Sequence, residues 1–317
     1  MKAVQILAGI LVAFTLPTSA ELMPPGRGTR IPEFGDTFEE VGWSYNFNNP
    51  KLHNQYHNPG SGWVEVIHAR NDPTSVSVNG RWIEGPTRGH PDIVEQVRTP
   101  PGGIPGSQYS LRLRTTNSGT PKITQGTIQQ DDLLNIIPGK TNGDIPLGSG
   151  LSVVTRIYLP PLDAWQDLSG YHIGFRVGAT GRKPDGQLAN YWPGIWIWMD
   201  KESSGRRTFR WVVRANNEGV DINASEQKFT NTGWWTLGMA FNPDGSISYY
   251  ASPGVDDLTP RDLLTFRAGS QSVAATYTPY QFKFDNLDYL FFSTGNTDGQ
   301  NSTEFIIDDV GVYRVAP

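Results

Sequence analysis

The chain has 317 residues, 37% hydrophobic and 18% charged, with a formal net charge of −5, no cysteine, 35 glycines and 24 prolines. Without cysteine it can form neither a disulfide nor a thiolate metal site, and its dispersed, slightly acidic charge lacks the basic footprint of a nucleic-acid binder. The length fits one large all-β domain or two small ones, and a chain so rich in glycine and proline turns often, as sandwiches and barrels do.

Met1-Lys2, an apolar stretch over 3–16 and small residues up to Ala20 predict a secretory signal peptide over 1–20. The mature protein is therefore expected to be secreted, in a periplasm or outside the cell. That apolar run is shorter than the roughly 20 residues a bilayer span needs, and no later segment approaches it, so no membrane span is expected. Residues 21–37 read as an N-terminal surface tail, followed by a single β-sandwich domain over 38–317 with long polar loops at 48–105. Strand signals begin at Thr37–Glu40 and Trp43–Phe47. Alternating runs recur at Tyr109–Arg114, Leu151–Leu159, Tyr171–Val177, Gly194–Met199, Thr208–Arg214, Trp234–Phe241, Ser246–Ala251, Tyr289–Ser293 and Glu304–Tyr313. Such spacing argues a sandwich. Asn242-Pro243-Asp244-Gly245 predicts a hairpin, because Pro presets one backbone angle and Gly supplies the positive φ of a tight reversal. One short helix is expected after Thr259-Pro260, where Thr caps and Pro takes the first helical position.

The opening Phe38-Glu39-Glu40 with Trp43, the closing Phe305-Ile306-Ile307-Asp308-Asp309-Val310-Gly311-Val312-Tyr313, and Trp234–Met239 leading to Tyr249-Tyr250 resemble the concanavalin A-like lectin/glucanase superfamily. The resemblance implies an all-β jelly-roll sandwich of two curved antiparallel sheets, with first and last strands side by side and a glycan on the concave sheet. It also implies a structural Ca²⁺ tying those strands, for which Glu39 and Asp309 stand at matching places; carboxylates are the ligands this hard cation takes. The laminarinase-like hydrolases of that superfamily carry Glu-x-Asp-x-x-Glu on one strand. This chain has no such run, which speaks against a retaining hydrolase, whose two carboxyl groups lie about 5 Å apart.

Period 2 sends Tyr171, Ile173, Phe175 and Val177 to one face of their strand and His172, Gly174 and Arg176 to the other. The same rule sets Arg210 and Arg214 opposite Phe209, Trp211 and Val213, and puts Arg112 and Arg114 on one polar face. If these faces share a sheet, they make a basic groove with Trp196 or Trp198 as stacking platforms, suited to an acidic polysaccharide. Arginine pairs with carboxylates through two hydrogen bonds, and aromatic rings offer the flat apolar surface on which sugars rest. Alternatively these arginines are solvated residues of an ordinary sheet face.

Two functions follow for a polysaccharide partner. One is a lyase acting by β-elimination on a uronate chain: His172 as the base, Arg176 neutralising the carboxylate, Gln129 hydrogen-bonding it, and Tyr191 or Tyr280 as the acid. The other is a lectin-like glycan-binding or envelope domain that uses the same face without chemistry. Ile195, Ile197 and Met199 alternate with Trp196 and Trp198, so that strand is either buried on both sides or an aromatic strip facing the glycan. His53 and His57 have a helical metal spacing, but Asn49-Pro50 and Asn58-Pro59-Gly60 around them argue for loop. The sequence leaves the oligomeric state open.

Overall fold

The computed structural model describes residues 23–48, 51, 55–58, 62–65, 75–85, 88–116, 129–138, 145–146, 150–183, 185–214, 221–224, 227–243, 245–268, 271–274, 276–277, 283–296 and 301–314. The expected leader at 1–20 lies outside them, as do His53, His68 and Tyr280.

Two large antiparallel sheets face each other. The first runs, strand beside strand, Thr276–Tyr277, Ile247–Pro253, Gly233–Phe241, Leu151–Leu159, Phe305–Arg314, Tyr109–Arg114 and Ile93–Arg98. The second runs Asp221–Asn223, Arg207–Arg214, Gly194–Lys201, Gly170–Arg182, Lys283–Asn296, Gln129–Asn135, Trp82–Glu84, Val76–Ser77 and Tyr45–Asn46. Alternation supplies the core between them. Val153, Ile157, Leu237, Met239 and Ile307 from the first sheet meet Phe175, Ile195, Trp211, Leu290 and Phe292 from the second in one buried cluster, with Phe175 stacked on Phe292 at 5.3 Å. This is the all-β sandwich that the alternating runs predict. No helix among the described residues is long and apolar enough to cross a membrane.

Four expectations are corrected. Thr37–Glu40 forms no strand; Phe38 is fully buried with φ 58°, and it is Thr29–Arg30 that pairs with the last strand. The N-terminal segment is consequently not a surface tail: Phe34 is buried and Asp36 bridges to Val310. The stretch 48–105 is more than loops, since Ile93–Arg98 extends the first sheet and Val76–Ser77 with Trp82–Glu84 extend the second. The short helix is a single 3₁₀ turn, Pro260–Asp262, although Thr259 caps it as expected. The strands on either side of the expected hairpin pair, Phe241 opposite Ile247, and Gly245 has φ 88°.

Candidate functional site

The outer face of the second sheet carries an unusual pavement. Residues of Gly194–Lys201 and Arg207–Arg214 obey period 2: Ile195, Ile197, Met199, Phe209, Trp211 and Val213 point into the core, which leaves Trp196, Trp198, Asp200, Arg210 and Arg214 outside. On the central strand Gly170–Arg182 the alternation breaks. The register shifts between Tyr171 and Ile173, and this bulge turns Tyr171 outward, where its ring lies 5.2 Å from Trp196 and 4.6 Å from Trp198. A bulge's extra residue reverses which face its neighbours take.

Three glycines leave room for side chains to lie flat on this face. A Cβ on Gly174 would meet the Trp196 ring, one on Gly178 the Tyr289 ring, and one on Gly194 the aliphatic stem of Arg176. The Arg176 guanidinium is held between rings, 5.1 Å from Trp196 and 4.8 Å from Phe291. It donates through Nη2 to the carbonyl of Trp192 at 3.0 Å, while its buried Nε has no partner. Burial pushes its pKa down, to about 9, with the Arg214 charge acting in the same direction. At neutral pH it is still a cation, and among the described residues no carboxylate forms an ion pair with it.

The other charges of this face are matched. Arg214 pairs with Asp221 at 2.7 Å, Arg210 with Asp200 at 3.3 Å, and Arg88 with Asp132 at 3.2 Å. Asp221 also accepts from the Tyr171 hydroxyl at 2.7 Å; desolvation and the aspartate push the Tyr171 pKa well up. Beside Arg176, the half-exposed Trp192 donates from its indole N–H to the Tyr289 hydroxyl at 2.8 Å. Burial raises the pKa of Tyr289 too.

The structure separates the residues that the sequence gathers into one groove. Arg112 and Arg114 belong to the first sheet, and Arg112 pairs with Glu95 across strands. Period 2 fixes faces within a strand but says nothing of which sheet the strand joins. His172 sits inside the bulge, fully buried against Trp165. Its Nε2 lies 2.8 Å from the Leu168 carbonyl and its Nδ1 2.6 Å from the Thr303 hydroxyl. A carbonyl only accepts, so Nε2 carries the proton and Nδ1 takes the hydroxyl hydrogen, leaving no lone pair for a substrate proton. Burial lowers its pKa to about 4. Tyr191 is buried in the core with its ring stacked on Phe284, away from the outer face. Gln129 pairs through its backbone with Asn296, and its side chain lies outside the described residues, as does Tyr280. Trp196 is buried beneath the face and Trp198 is half-buried.

The calcium pair does not assemble. Glu39 accepts from the backbone N–H groups of Gln108 and Tyr109, whereas Asp309 is bound by Arg30 and Arg156, both at 2.6 Å. Two guanidiniums on one carboxylate repel a divalent cation, so this donor set does not fit Ca²⁺. No cluster of three His, Cys, Asp or Glu suited to a metal occurs among the described residues. His57 lies on the strand Gln55–Asn58, not on a helix. Trp192, Tyr289 and Phe291 are the residues that sequence reasoning missed; the glycines at 174, 178 and 194 were the available signal, since small residues in a strand mark close approach.

No family profile matches the chain, and no curated protein matches it. Among solved structures it is similar to the carbohydrate esterase vb_24B_21 from Shiga toxin-encoding bacteriophage phi24B, at 12% identity and TM-score 0.44, over 74% of this chain and 91% of that one. It is also similar to the alginate lyase Aly36B, at 12% identity and TM-score 0.34, over 65% and 81%, and to a GH43 glycoside hydrolase, at 13% identity and TM-score 0.38, over 81% and 44%. Likenesses of this size carry no argument about activity, which rests on the face itself.

Proposed function

We propose that this chain binds an acidic polysaccharide along the outer face of its second sheet, as a glycan-binding protein. The observation that carries the reading is Arg176, a buried cation without a counter-ion among the described residues, in a face whose other arginines each have an aspartate. An uncompensated buried charge is costly, and a uronate or sulfate group approaching the face would offset that cost. The exposed indole of Trp192, fixed by Tyr289, supplies a platform for a sugar ring next to that charge.

Binding is preferred over β-elimination because the face lacks a ready base. His172 has both nitrogens engaged, and the phenols of Tyr171 and Tyr289 are both pushed toward the protonated form, where they donate rather than abstract. Isothermal titration with polygalacturonate, alginate and a neutral β-glucan tests the reading. Saturable binding to an acidic chain that is lost in Arg176→Met is expected, whereas any binding of the glucan should be unchanged in that variant. Arg176-dependent binding of the neutral chain equal to that of the acidic one, or no loss of acidic-chain binding in the variant, would overturn it. Ultraviolet absorbance of an unsaturated uronate product in the same mixtures would instead establish a lyase.

A further inference from the structure

A second site lies at one end of the sandwich, away from the basic face. Here the strands Tyr109–Arg114 and Leu151–Leu159 end and the strand Phe305–Arg314 begins, its antiparallel neighbour on both sides. The gap between these ends is a cleft of about 440 Å³ lined by Arg114, Pro160, Ala164, Gln166, Ser302 and Glu304, among others.

One wall is firmly built. Trp165 is stacked on Phe209 at 5.7 Å and packed against His172, and its indole N–H donates to the Pro160 carbonyl at 2.8 Å. Arg207 donates to the Leu162 carbonyl at 3.0 Å. The Gln166 backbone N–H donates to the Thr303 hydroxyl at 3.1 Å, which in turn donates to Nδ1 of His172. The buried histidine thus anchors the loop that forms the cleft. From that anchored loop the Gln166 carboxamide projects with both its oxygen and its nitrogen buried and without a hydrogen-bond partner. Arg114 adds a buried Nε in the same condition. Glu304 supplies a carboxylate that makes no ion pair with Arg114 although both line the cleft.

Unsatisfied buried polar atoms cost free energy unless a partner meets them. The partner here must accept from Arg114 and the Gln166 nitrogen and donate to Glu304 and the Gln166 oxygen. A hydroxyl does both at once, and the two charges of the lining cancel, so the cleft does not favour an ion. We infer that this cleft is a binding site for one or two neutral sugar units, held through vicinal hydroxyls by Gln166, Arg114 and Glu304. The volume lies within the range of small-ligand pockets. This site is independent of the basic face and of the reading proposed for it.

Saturation-transfer NMR and titration with methyl glucoside, methyl galactoside, methyl mannoside and glycylglycine would test it on the whole chain. At least one glycoside is expected to bind, and Gln166→Leu to weaken it by about tenfold, the worth of one lost hydrogen bond pair. Arg176→Met should leave that binding unchanged, which separates this site from the other face. Glu304→Gln, at a partly exposed position, gives a second weakened variant should Gln166→Leu fold poorly. Binding of glycylglycine alone, no glycoside binding, or glycoside binding indifferent to Gln166 and Glu304 would each overturn the assignment.

Discussion

The Trp196 ring lies across the backbone of Gly174: a Cβ at position 174 would stand 2.7 Å from Cζ3 of the indole. The two residues are register partners on adjacent strands, so the indole can lie flat only because its neighbour has no side chain. The Arg176 guanidinium rests on that same ring.

Gly174→Ala therefore lifts Trp196 and disturbs the seat of Arg176. Overpacking of this kind costs about 1–3 kcal/mol. Thermal melting should show the loss of stability, and titration with polygalacturonate should show weakened binding in the fraction that stays folded.

Arg176→Met separates stability from function. Replacing a buried unpaired cation by an apolar chain of similar length removes a desolvation cost, so the melting temperature should hold or rise by the equivalent of roughly 1 kcal/mol, while binding of an acidic chain is lost. A residue kept only for packing would show the opposite pattern, lower stability with binding retained.

Two buried groups give opposing pH dependences. Desolvation raises the pKa of Asp131 to about 7, in spite of Lys51 at 2.7 Å. The folded protein therefore binds more protons than the unfolded chain between about pH 4 and 7, and stability through Asp131 is lost as pH rises across that window. His172, lowered to about 4, acts in reverse: its stability is present above about pH 6.5 and lost as pH falls toward 4. Asp131→Asn should expose the acid-side loss, and His172→Gln the loss on raising pH, both read from melting temperatures across this range. Binding of an acidic chain should survive His172→Gln, since that imidazole faces the loop at Gln166 rather than the basic face.

Asp309 is a partner of arginines. Asp309→Ala would leave Arg156, whose side chain is only 8% exposed, with the largely exposed Asp257 as its remaining ion pair. A destabilisation of about 2 kcal/mol is expected in urea titration, and neither calcium nor a chelator should shift the midpoint of the unmodified protein. A calcium-dependent midpoint that vanished in Asp309→Ala would refute this assignment.

Much of the fold was legible because alternation is local. The runs Gly194–Met199 and Thr208–Arg214 set Ile195, Ile197 and Met199, and likewise Phe209, Trp211 and Val213, on one shared face of each strand, the face that the core takes, and the turn residues at 242–245 marked the hairpin. The candidate groove was less legible. A strand shows which of its residues share a face, but not whether Arg112 will neighbour Arg176. It also does not announce a bulge, and the one at Tyr171–Ile173 moved Tyr171 onto the outer face and buried His172.

The sequence by itself determined a cysteine-free, turn-rich, all-β chain, and within its regular strands it set which side chains face together, because a two-residue repeat follows from backbone geometry alone. Only the tertiary structure decided which strands became neighbours, which arginines found an aspartate, and which did not. Those outcomes depend on contacts between residues far apart in the chain, such as Arg176 with Phe291 and His172 with Thr303, and no local pattern encodes them.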